Sequence, residues 1–451
     1  MGLEISIELL TLIMFGSLLV LLMAGLPLAF VTGGLAVVFL FVLGDSRALN
    51  IVPSRIFPLM TNYQLSAIPL FIFMASMLER AGIINEMFDV IYKVLGGVRG
   101  GLAAATVIAS TILAAMVGVI GAAVVTMGII ALPAMLKRGY DPKIAMGSIM
   151  AGGTLGILIP PSILAIIYAV VAEQSVGELF IGAVIPGLLL SGMYILYVLL
   201  RCAINPQLGP AIPVSERISN AEKIRLMGNM SAPIALIVVV LGVIFTGIAT
   251  PVEAAGIGTF GAFIVAAIHR KLDWPTVREA SLTTLKASAM VIWIMFGATI
   301  FVGLYVLEGG QQFVQDSLEA TGFGPWGILI IMQVVLIILG MFLDWVGILL
   351  LAVPIFVPII KALGAQAFGL DSPDDLVLWF GVLYLVNMQM SFLSPPFGYA
   401  LFYLRGVAPP EIPMIDIFKS ALPFLALQVV GLTLVMLFPQ IITWLPRLVY
   451  G

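Results

Sequence analysis

The chain is poor in the residue types on which most enzymes depend for their chemistry. Only 10% of its 451 residues are charged, and it contains one histidine and one cysteine. The single cysteine, Cys202, excludes an internal disulfide and is interpreted as a small apolar helix residue. The histidine, His269, stands beside Arg270 and Lys271 and is predicted to lie at the surface. A histidine-based catalytic dyad or proton relay is therefore not expected.

The sequence also lacks the motifs of nucleotide-driven and covalent chemistry. It contains no P-loop, no GxGxxG loop and no recognisable nucleophile–base pair. The sequence offers no basic face, which argues against a nucleic-acid partner. We therefore expect neither an enzyme nor a nucleic-acid-binding protein. Any energy for transport must come from an ion gradient or from a separate subunit.

Apolar residues are what the chain has in abundance. They make up 62% of the sequence, and the mean hydropathy is +1.20. This composition predicts an all-α polytopic protein whose partner is membrane lipid. Residues 1–8 contain no Lys or Arg and carry Glu4 and Glu8, so the apolar stretch that follows is predicted to be a membrane helix, not a cleaved signal peptide.

Two apolar segments each contain a double proline. Residues 152–168 read GGTLGILIPPSILAIIY, residues 387–403 read NMQMSFLSPPFGYALFY, and Pro160-Pro161 superposes on Pro395-Pro396. Proline removes a backbone donor and crowds the preceding turn, so neither segment can form one continuous helix. Inside lipid, the freed backbone groups are tolerated only where protein or a water-filled cavity satisfies them. Broken helices at corresponding positions of two halves indicate the binding site of a transporter.

The elements around the two broken segments also occur twice, which predicts two repeats, each with a re-entrant helical hairpin and a broken helix. The predicted boundaries are residues 1–204 for the first repeat (hairpin about 100–136, broken helix about 142–172), 205–230 for a polar cytoplasmic linker, and 231–451 for the second repeat (hairpin about 324–361, broken helix about 376–405).

The distribution of positive charge predicts the orientation of these repeats. In this topology, 16 of the 20 Lys and Arg fall in five loops on one face, and the other face holds Arg47, Arg55, Lys361 and Arg447. Because Lys and Arg mark the cytoplasmic side, the amino terminus is predicted to be periplasmic. The second half then begins on the cytoplasmic side, and the two repeats have inverted topology.

The hairpin tips and helix breaks are the candidate sites of chemistry. Broken helices leave unpaired carbonyls that can bind cations and unpaired amides that suit anions. Side-chain oxygens are added by Thr154, Asn387, Gln389, Ser391 and Ser394. Such hard oxygen ligands suit an alkali cation and do not suit zinc or copper. The alternative is that these side chains satisfy only backbone groups or helix contacts.

Two carboxylates in apolar surroundings need separate interpretations. Asp344 is the one carboxylate in the middle of a long apolar run, and intramembrane carboxylates are usually functional. It can equally be the N-cap of the second hairpin helix. Glu253 belongs to the sequence Thr250-Pro251-Val252-Glu253, which predicts a capping box and a structural role.

Four motifs together resemble the large membrane subunit of the tripartite ATP-independent periplasmic (TRAP) transporters, and the resemblance covers essentially the whole chain. They are LPAMLKRGYDP at 132–142, GGTLGILIPPS at 152–162, TPVEAAGIG at 250–258 and MSFLSPPFG at 390–398. The resemblance implies a sodium-driven symporter of organic acids in a bacterial or archaeal inner membrane. It implies an elevator mechanism, in which hairpins and broken helices form a transport domain that moves against a scaffold.

The resemblance also implies partners and site residues. The partners would be a small four-helix membrane subunit, not expected to be fused to this chain, and a periplasmic substrate-binding protein. Sodium and substrate contacts would lie at the tips and breaks, at Gly118, Gly121, Gly153, Thr154, Pro160, Asn387, Gln389, Ser391, Ser394 and Pro395, with Asp344 beside them. Many members of the family carry serines at the first hairpin tip. This chain has no hydroxyl between Val117 and Gly121, so backbone carbonyls are expected to serve there.

Two other functions are compatible with parts of this pattern. A stand-alone cation-coupled carboxylate or anion carrier of a related inverted-repeat fold would share the broken helices. An intramembrane enzyme or a passive channel would share the hydropathy, but the sequence offers no paired Asp, Ser–Lys or His–Glu constellation for an enzyme.

Overall fold

The structure, a computed structural model, describes residues 5–44, 46–117, 120–213, 217–396 and 398–450, and in these ranges it is helical with no strand. The helices are α1 (Ile7–Met23), α2 (Leu28–Gly44), α3 (Ile51–Met60), α4 (Ala67–Arg80), α5 (Ile83–Leu95), α6 (Gly101–Val117), α7 (Ile120–Lys137), α8 (Pro142–Thr154), α9 (Ile163–Ala172), α10 (Val176–Ile204), α11 (Asn220–Asn229), α12 (Ser231–Phe245), α13 (Pro251–Ile268), α14 (Trp274–Leu307), α15 (Gly310–Glu319), α16 (Pro325–Gly340), α17 (Trp345–Leu363), α18 (Pro373–Leu393), α19 (Tyr399–Arg405), α20 (Met414–Leu437) and α21 (Gln440–Tyr450).

Many of these helices are long and apolar enough to cross a bilayer. Six single helices of the described residues satisfy both criteria, and the number rises to eight if each of two bent helix pairs counts as one span. The prediction of an all-α polytopic membrane protein is confirmed.

Local capping signals explain where several helices begin. Thr250 and Glu253 form the predicted capping box: the Glu253 carboxylate accepts from the Thr250 amide at 2.8 Å, and the Thr250 hydroxyl accepts from the Glu253 amide at 3.3 Å. The side chains of Asp141 and Ser372 cap α8 and α18 by accepting from backbone amides of the first turn, and each is followed by proline at the first helical position. The first halves of both broken helices therefore start from equivalent sequence signals.

Both broken helices are interrupted at the double prolines. The helix α8 ends at Thr154, a 3₁₀ turn covers Leu155–Ile157, and α9 begins only at Ile163. In the second half, α18 ends at Leu393 and α19 begins at Tyr399. The Pro160-Pro161 and Pro395-Pro396 peptide bonds are both cis.

The hairpins and broken helices pack reciprocally. The first hairpin (α6 and α7) contacts α8, and its return arm α7 also contacts α19. The second hairpin (α16 and α17) contacts α18, and its return arm α17 also contacts α9. Likewise α10 packs on α18, and α20 packs on α8. Each half thus covers part of the other. We call α6–α10 with α16–α20 the core bundle.

A second group of helices lies beside the core bundle. Here α4 packs against α13 and α14, and α14 packs along α2. We call α1–α4 with α12–α15 the outer bundle; it meets the core bundle mainly where α14 contacts α17 and where α4 contacts α6. Ion pairs join residues that the charge distribution assigns to the same face: Arg80 with Glu279 at 3.1 Å, and Arg447 with Asp371 at 2.7 Å.

Three local expectations differ from the structure. The sequence predicts an amphipathic element at 270–285 and a separate span at 286–306, but one helix, α14, runs through both, because no glycine or proline lies between Pro275 and Gly297. The polar linker 205–230 contains α11. The prediction that His269 lies at the surface is wrong: its side chain is 13% exposed and lies 3.6 Å from Glu86.

Glycines allow α8 to approach the first hairpin closely. A Cβ added to Gly153 would lie 3.2 Å from the amide nitrogen and 3.3 Å from the Cα of Val124 in α7. A Cβ added to Gly152 would lie 2.8 Å from the Cβ of Ser110 in α6. The Cβ added to Gly153 would also overlap the Cγ2 of Val124. Because backbone atoms of Val124 are close as well, a rotamer change of Val124 alone cannot accommodate a side chain at Gly153.

We expect Gly153→Ala to lower the thermal unfolding temperature of the purified protein, because overpacking costs about 1–3 kcal/mol. The matched control is Gly192→Ala in α10, where an added Cβ would meet no atom within 4 Å. Differential scanning fluorimetry in detergent compares the two variants. Equal unfolding temperatures for both would contradict the close approach of α8 to α7.

Candidate functional site

One face of α18 carries three of the predicted site residues. Asn387, Ser391 and Ser394 are spaced at i, i+4 and i+7, so a helix brings them to the same side. All three are buried, with exposed fractions of 0%, 0% and 3%. This face lies against α16, where Gly340 leaves room for Ser391: a Cβ on Gly340 would overlap the Ser391 side chain.

The side chain of Asn387 is held by a glutamine from the hairpin. The Asn387 Nδ2 donates to the backbone carbonyl of Gln333 at 2.9 Å and to the Gln333 Oε1 at 2.8 Å. A carbonyl can only accept, so the amide nitrogen must face Gln333 and the Oδ1 must face away. The Oδ1 is buried and has no hydrogen-bond partner in the described part of the chain. It is an oriented, unsatisfied oxygen.

The hydroxyls of the site donate to the backbone of their own helices. Ser394 donates to the Met390 carbonyl at 2.8 Å, Ser391 to the Asn387 carbonyl at 3.3 Å, and Thr154 donates within α8 at 2.9 Å. These bonds satisfy the backbone, which is the structural role considered from the sequence. They also use the hydroxyl proton and leave the oxygen lone pairs free to accept a donor or a cation.

Gln389 lies away from this face. Two residues after Asn387, it projects about 200° around the helix from it. The Gln389 side chain is fully buried, and neither amide atom has a partner in the described part of the chain. Helical geometry thus separates Gln389 from the other three polar residues of α18.

Asp344 caps the return arm of the second hairpin. Its Oδ1 accepts from the Gly347 amide at 2.8 Å, at the first turn of α17. The capping role predicted as one alternative is therefore present. The side chain is not completely enclosed, because Asp344 also lines a cavity of about 800 Å³.

This cavity, which we call the tip cavity, lies between the two bundles. Its lining comes from the α1–α2 connection and α14 on one side, and from the second hairpin tip and α19 on the other. Asp344 is the one charged residue among its lining residues, and the phenols of Tyr399 and Tyr403 add polar groups. The tip cavity therefore combines apolar walls with a few polar groups, as small-molecule sites do.

The first hairpin tip is described only in part. Gly118 lies outside the described residues. Gly121, at the start of α7, faces the ring of Tyr403, with 3.1 Å between an added Cβ and the Tyr403 Cζ. Pro160 lines a separate apolar crevice of about 330 Å³ against α6, α10 and α12, away from the tip cavity. Pro395 lies in the break between α18 and α19.

The two halves present related pairs of residues. With the double prolines superposed, Gly152 corresponds to Asn387. Gly152 packs on Ser110 of the first hairpin, whereas Asn387 bonds to Gln333 of the second hairpin. The Ser110 hydroxyl, like the Asn387 Oδ1, is buried without a partner in the described part of the chain. The second half thus offers more side-chain oxygen at this position than the first.

Sequence reasoning missed Gln333, which positions Asn387. A signal was available, because Gln333 is the one polar side chain between Trp326 and Gly340 in an otherwise apolar helix. Intramembrane polar residues are rare enough to deserve a functional hypothesis. Its partner could not be identified from sequence, since 54 residues separate the two.

Comparison with known proteins places the chain among membrane transporters. The family model of the tripartite ATP-independent periplasmic transporter DctM component matches residues 15–441. The large permease protein DctM of a C4-dicarboxylate TRAP transporter from Pseudomonas aeruginosa is 32% identical over 91% of this chain and 92% of that protein. The corresponding Vibrio cholerae protein is 31% identical over 92% and 93%. Further relatives, at 27–30% identity, are named for isethionate, ectoine or sialic acid transport.

Among solved structures, the Alcanivorax borkumensis YdaH transporter has a similar fold, with a TM-score of 0.65 and 14% identity over 95% of this chain and 99% of that one. At this identity the likeness concerns the fold alone. The family match and the DctM relatives extend over nearly the whole chain, including both broken helices and the tip cavity. The chain therefore belongs to the DctM family, the large permease subunits of tripartite ATP-independent periplasmic transporters.

Proposed function

We propose that this subunit carries an organic acid across the bacterial inner membrane by sodium symport, together with a small membrane subunit and a periplasmic substrate-binding protein. The observation that supports this most strongly is the Asn387 Oδ1, which is buried in α18 nearly two turns before the break, oriented by Gln333 and left without a partner in the described part of the chain. A buried polar atom without a partner costs about 1–3 kcal/mol. A bound cation would satisfy it.

The chemistry of the surrounding groups favours sodium over a proton or a transition metal. An amide oxygen, hydroxyl oxygens with free lone pairs and the carbonyls of an interrupted helix are hard, mostly neutral ligands. The described residues contain no group of three His, Cys, Asp or Glu that could bind a metal ion. Asp344, at the tip of the second hairpin, would add one negative charge to the cation site while capping α17.

The tip cavity is the candidate place for the organic acid. With the cation held at Asp344, which lines this cavity, a carboxylate there would lie beside a positive charge that offsets its own, with the Tyr399 and Tyr403 phenols as further donors. Two of the relatives are named for C4-dicarboxylate and for sialic acid transport. These names support a carboxylate as the transported substrate. A carboxylate held mainly by a bound cation would make substrate binding depend on sodium, which is what coupling requires.

We further propose an elevator movement of the core bundle against the outer bundle. The tip cavity lies between the two bundles, so a displacement of one along the other would change the side to which it opens. Inverted topology of the two halves would supply two related end states. The reciprocal packing of each hairpin on the broken helix of the other half supports a core bundle that moves as one body.

Two relatives are longer than this chain, which supports the proposed small membrane partner. The isethionate permease DctMQ and the sialic acid permease SiaT are single proteins of which this chain covers only 62% and 65%. We propose that a small membrane subunit corresponds to the part of these two relatives that this chain does not cover. A stand-alone carrier, the alternative considered from the sequence, would transport without either partner.

The test is uptake by proteoliposomes containing both membrane subunits, with the binding protein outside. We expect an inward sodium gradient to drive uptake, and we expect Asn387→Ala and Ser394→Ala to reduce it by about tenfold or more because each removes an oxygen ligand. The matched control is Ser281→Ala, since the Ser281 hydroxyl makes the same backbone bond in α14 but is exposed. Uptake driven by a pH gradient and indifferent to sodium would refute the proposal.

A pair of substitutions separates the two roles of Asp344. Asparagine caps helices as well as aspartate does, whereas alanine loses about 1 kcal/mol of capping. We expect both Asp344→Asn and Asp344→Ala to abolish sodium-dependent uptake, and only Asp344→Ala to lower the unfolding temperature. Wild-type uptake by the Asp344→Asn variant would show that Asp344 is a helix cap and nothing more.

A further inference from the structure

A half-buried arginine stands at the boundary between the two bundles, apart from the tip cavity. Arg55 belongs to α3, which packs on α14. Its side chain runs over Gly303: a Cβ added to Gly303 would lie 3.1 Å from the Arg55 Nε and 3.3 Å from the Cζ. Glycine at 303 therefore gives the guanidinium the space in which it lies.

Arg55 has no counter-charge in the described part of the chain, where it makes neither a hydrogen bond nor an ion pair. Other arginines are paired: Arg447 lies 2.7 Å from Asp371 and 2.8 Å from Asp375, and Arg80 lies 3.1 Å from Glu279. A cation within a hydrophobic bundle is costly and is usually retained for a function. Arg55 is therefore a candidate binding group for an anion.

A cavity of about 280 Å³ lies beside the guanidinium, and we call it the Arg55 cavity. Its polar groups all come from the outer bundle: Arg55, the Thr299 hydroxyl of α14 and the Gln311 amide of α15. Neither Thr299 nor Gln311 hydrogen-bonds through its side chain to another described residue. The opposite wall is apolar and comes from the core bundle, with Val171 of α9 and Leu350 of α17 among its residues.

Attraction to the end of α14 does not account for this arrangement. A helix carboxyl terminus favours a nearby cation, and Gly303 is close to that end. However, the Glu308 amide already bonds to the carbonyls of Leu304 and Val306. The dipole would also leave unexplained why two further polar side chains converge on the same cavity. An anion that accepts from Arg55, Thr299 and Gln311 together explains all three.

The Arg55 cavity and the tip cavity follow the same two helices. The tip cavity contacts α14 at Ala289–Ile294 and α17 at Trp345, whereas the Arg55 cavity contacts α14 at Thr299–Val306 and α17 at Leu350 and Pro354. Ten residues of helix span about 15 Å, so the two cavities lie at different depths of the membrane. Both border the boundary along which the core bundle would move.

We propose that the Arg55 cavity is an anion-binding subsite on the outer bundle, where the carboxylate of a small organic acid binds before it is loaded at the tip cavity. This rests on the proposed function, since it assumes an organic acid as cargo. The planar guanidinium binds a carboxylate through two parallel hydrogen bonds, and Thr299 and Gln311 supply further donors. A volume of about 280 Å³ is near the lower end for ligand cavities, which favours an acid of a few carbons over a sugar acid.

The charge on this face supports the same assignment. The charge distribution places Arg55, Lys361 and Arg447 on the periplasmic side, among the cations whose side chains are described. Arg447 is neutralised by two aspartates, and Lys361 is exposed to solvent. Arg55 is thus the half-buried, unpaired positive charge that an anion arriving from this side would meet. Low-dielectric walls strengthen its field.

The first experiment measures the dependence of uptake on substrate and on sodium in reconstituted vesicles, with succinate as the probe. We expect Arg55→Gln to raise the half-saturating succinate concentration by about tenfold or more, because it removes a charge-assisted pair of hydrogen bonds. The sodium dependence should not change, since Arg55 makes no hydrogen bond to Asn387 or to Gln333. The half-saturating succinate concentration of Arg55→Lys should lie between those of the wild type and Arg55→Gln. The exposed control Lys361→Gln should behave as wild type. Unchanged half-saturation in Arg55→Gln would overturn the proposal.

The second experiment detects binding without transport. Val171→Cys is introduced into a Cys202→Ser chain, and labelling by an uncharged maleimide is followed with and without succinate. We expect succinate to slow labelling when Arg55 is present and to have no effect in Arg55→Gln. Labelling that is blocked by anionic lipid, and not by succinate, would assign Arg55 to a lipid phosphate and refute the subsite.

The two experiments also separate the subsite from the proposed function. If uptake is driven by sodium but succinate does not slow labelling of Val171→Cys, the anion subsite is refuted and the proposed function is not. If succinate slows labelling only when Arg55 is present, but uptake is not driven by sodium, the proposed sodium symport is refuted and the anion subsite is not.

Discussion

An interrupted helix inside a membrane must still satisfy its backbone, and the structure of this protein depends on that requirement. At the first break, the Ser162 hydroxyl donates to the Ile157 carbonyl, and the Leu158 amide donates to the Leu155 carbonyl. At the second, the Gly398 amide donates to the Ser394 carbonyl. These local bonds replace only part of the helical ladder, so the remaining groups need cover from neighbouring elements. The hairpins provide that cover, each resting on the broken helix of its own half and on that of the other half.

The same interruption links fold to function. Close cover requires small residues where backbones meet, which Gly152, Gly153 and Gly340 supply. It also leaves oxygen atoms directed into the protein interior, of which the Asn387 Oδ1 is oriented most firmly because two acceptors of Gln333 hold its amide nitrogen. The outer bundle adds a charged element of a different kind in Arg55. In the proposed mechanism, the neutral oxygens of the core bundle bind the cation, and Arg55 on the outer bundle binds the anion.

Signals that act within one turn of helix could be read from the sequence. The double prolines, the Thr250–Glu253 capping box and the cap at Asp344 are local, and the structure contains each of them. Contacts between distant segments could not be read in this way. Gln333 and Asn387 are 54 residues apart, and the position of Arg55 over Gly303 depends on how α3 packs on α14. His269 was misjudged because its charged neighbours in sequence are not its neighbours in space; it lies beside Glu86 of α5.

Hydrogen–deuterium exchange at the two helix breaks tests the central claim most directly. The protein, with its small subunit, is compared in sodium chloride and in choline chloride of equal concentration, and peptides covering 155–165 and 390–400 are followed. The account predicts that sodium slows exchange in both peptides and leaves α12 (Ser231–Phe245) unchanged, because a bound cation orders the interrupted backbones. Identical exchange in both salts, in a preparation that transports substrate, would contradict the claim that these breaks form the cation site.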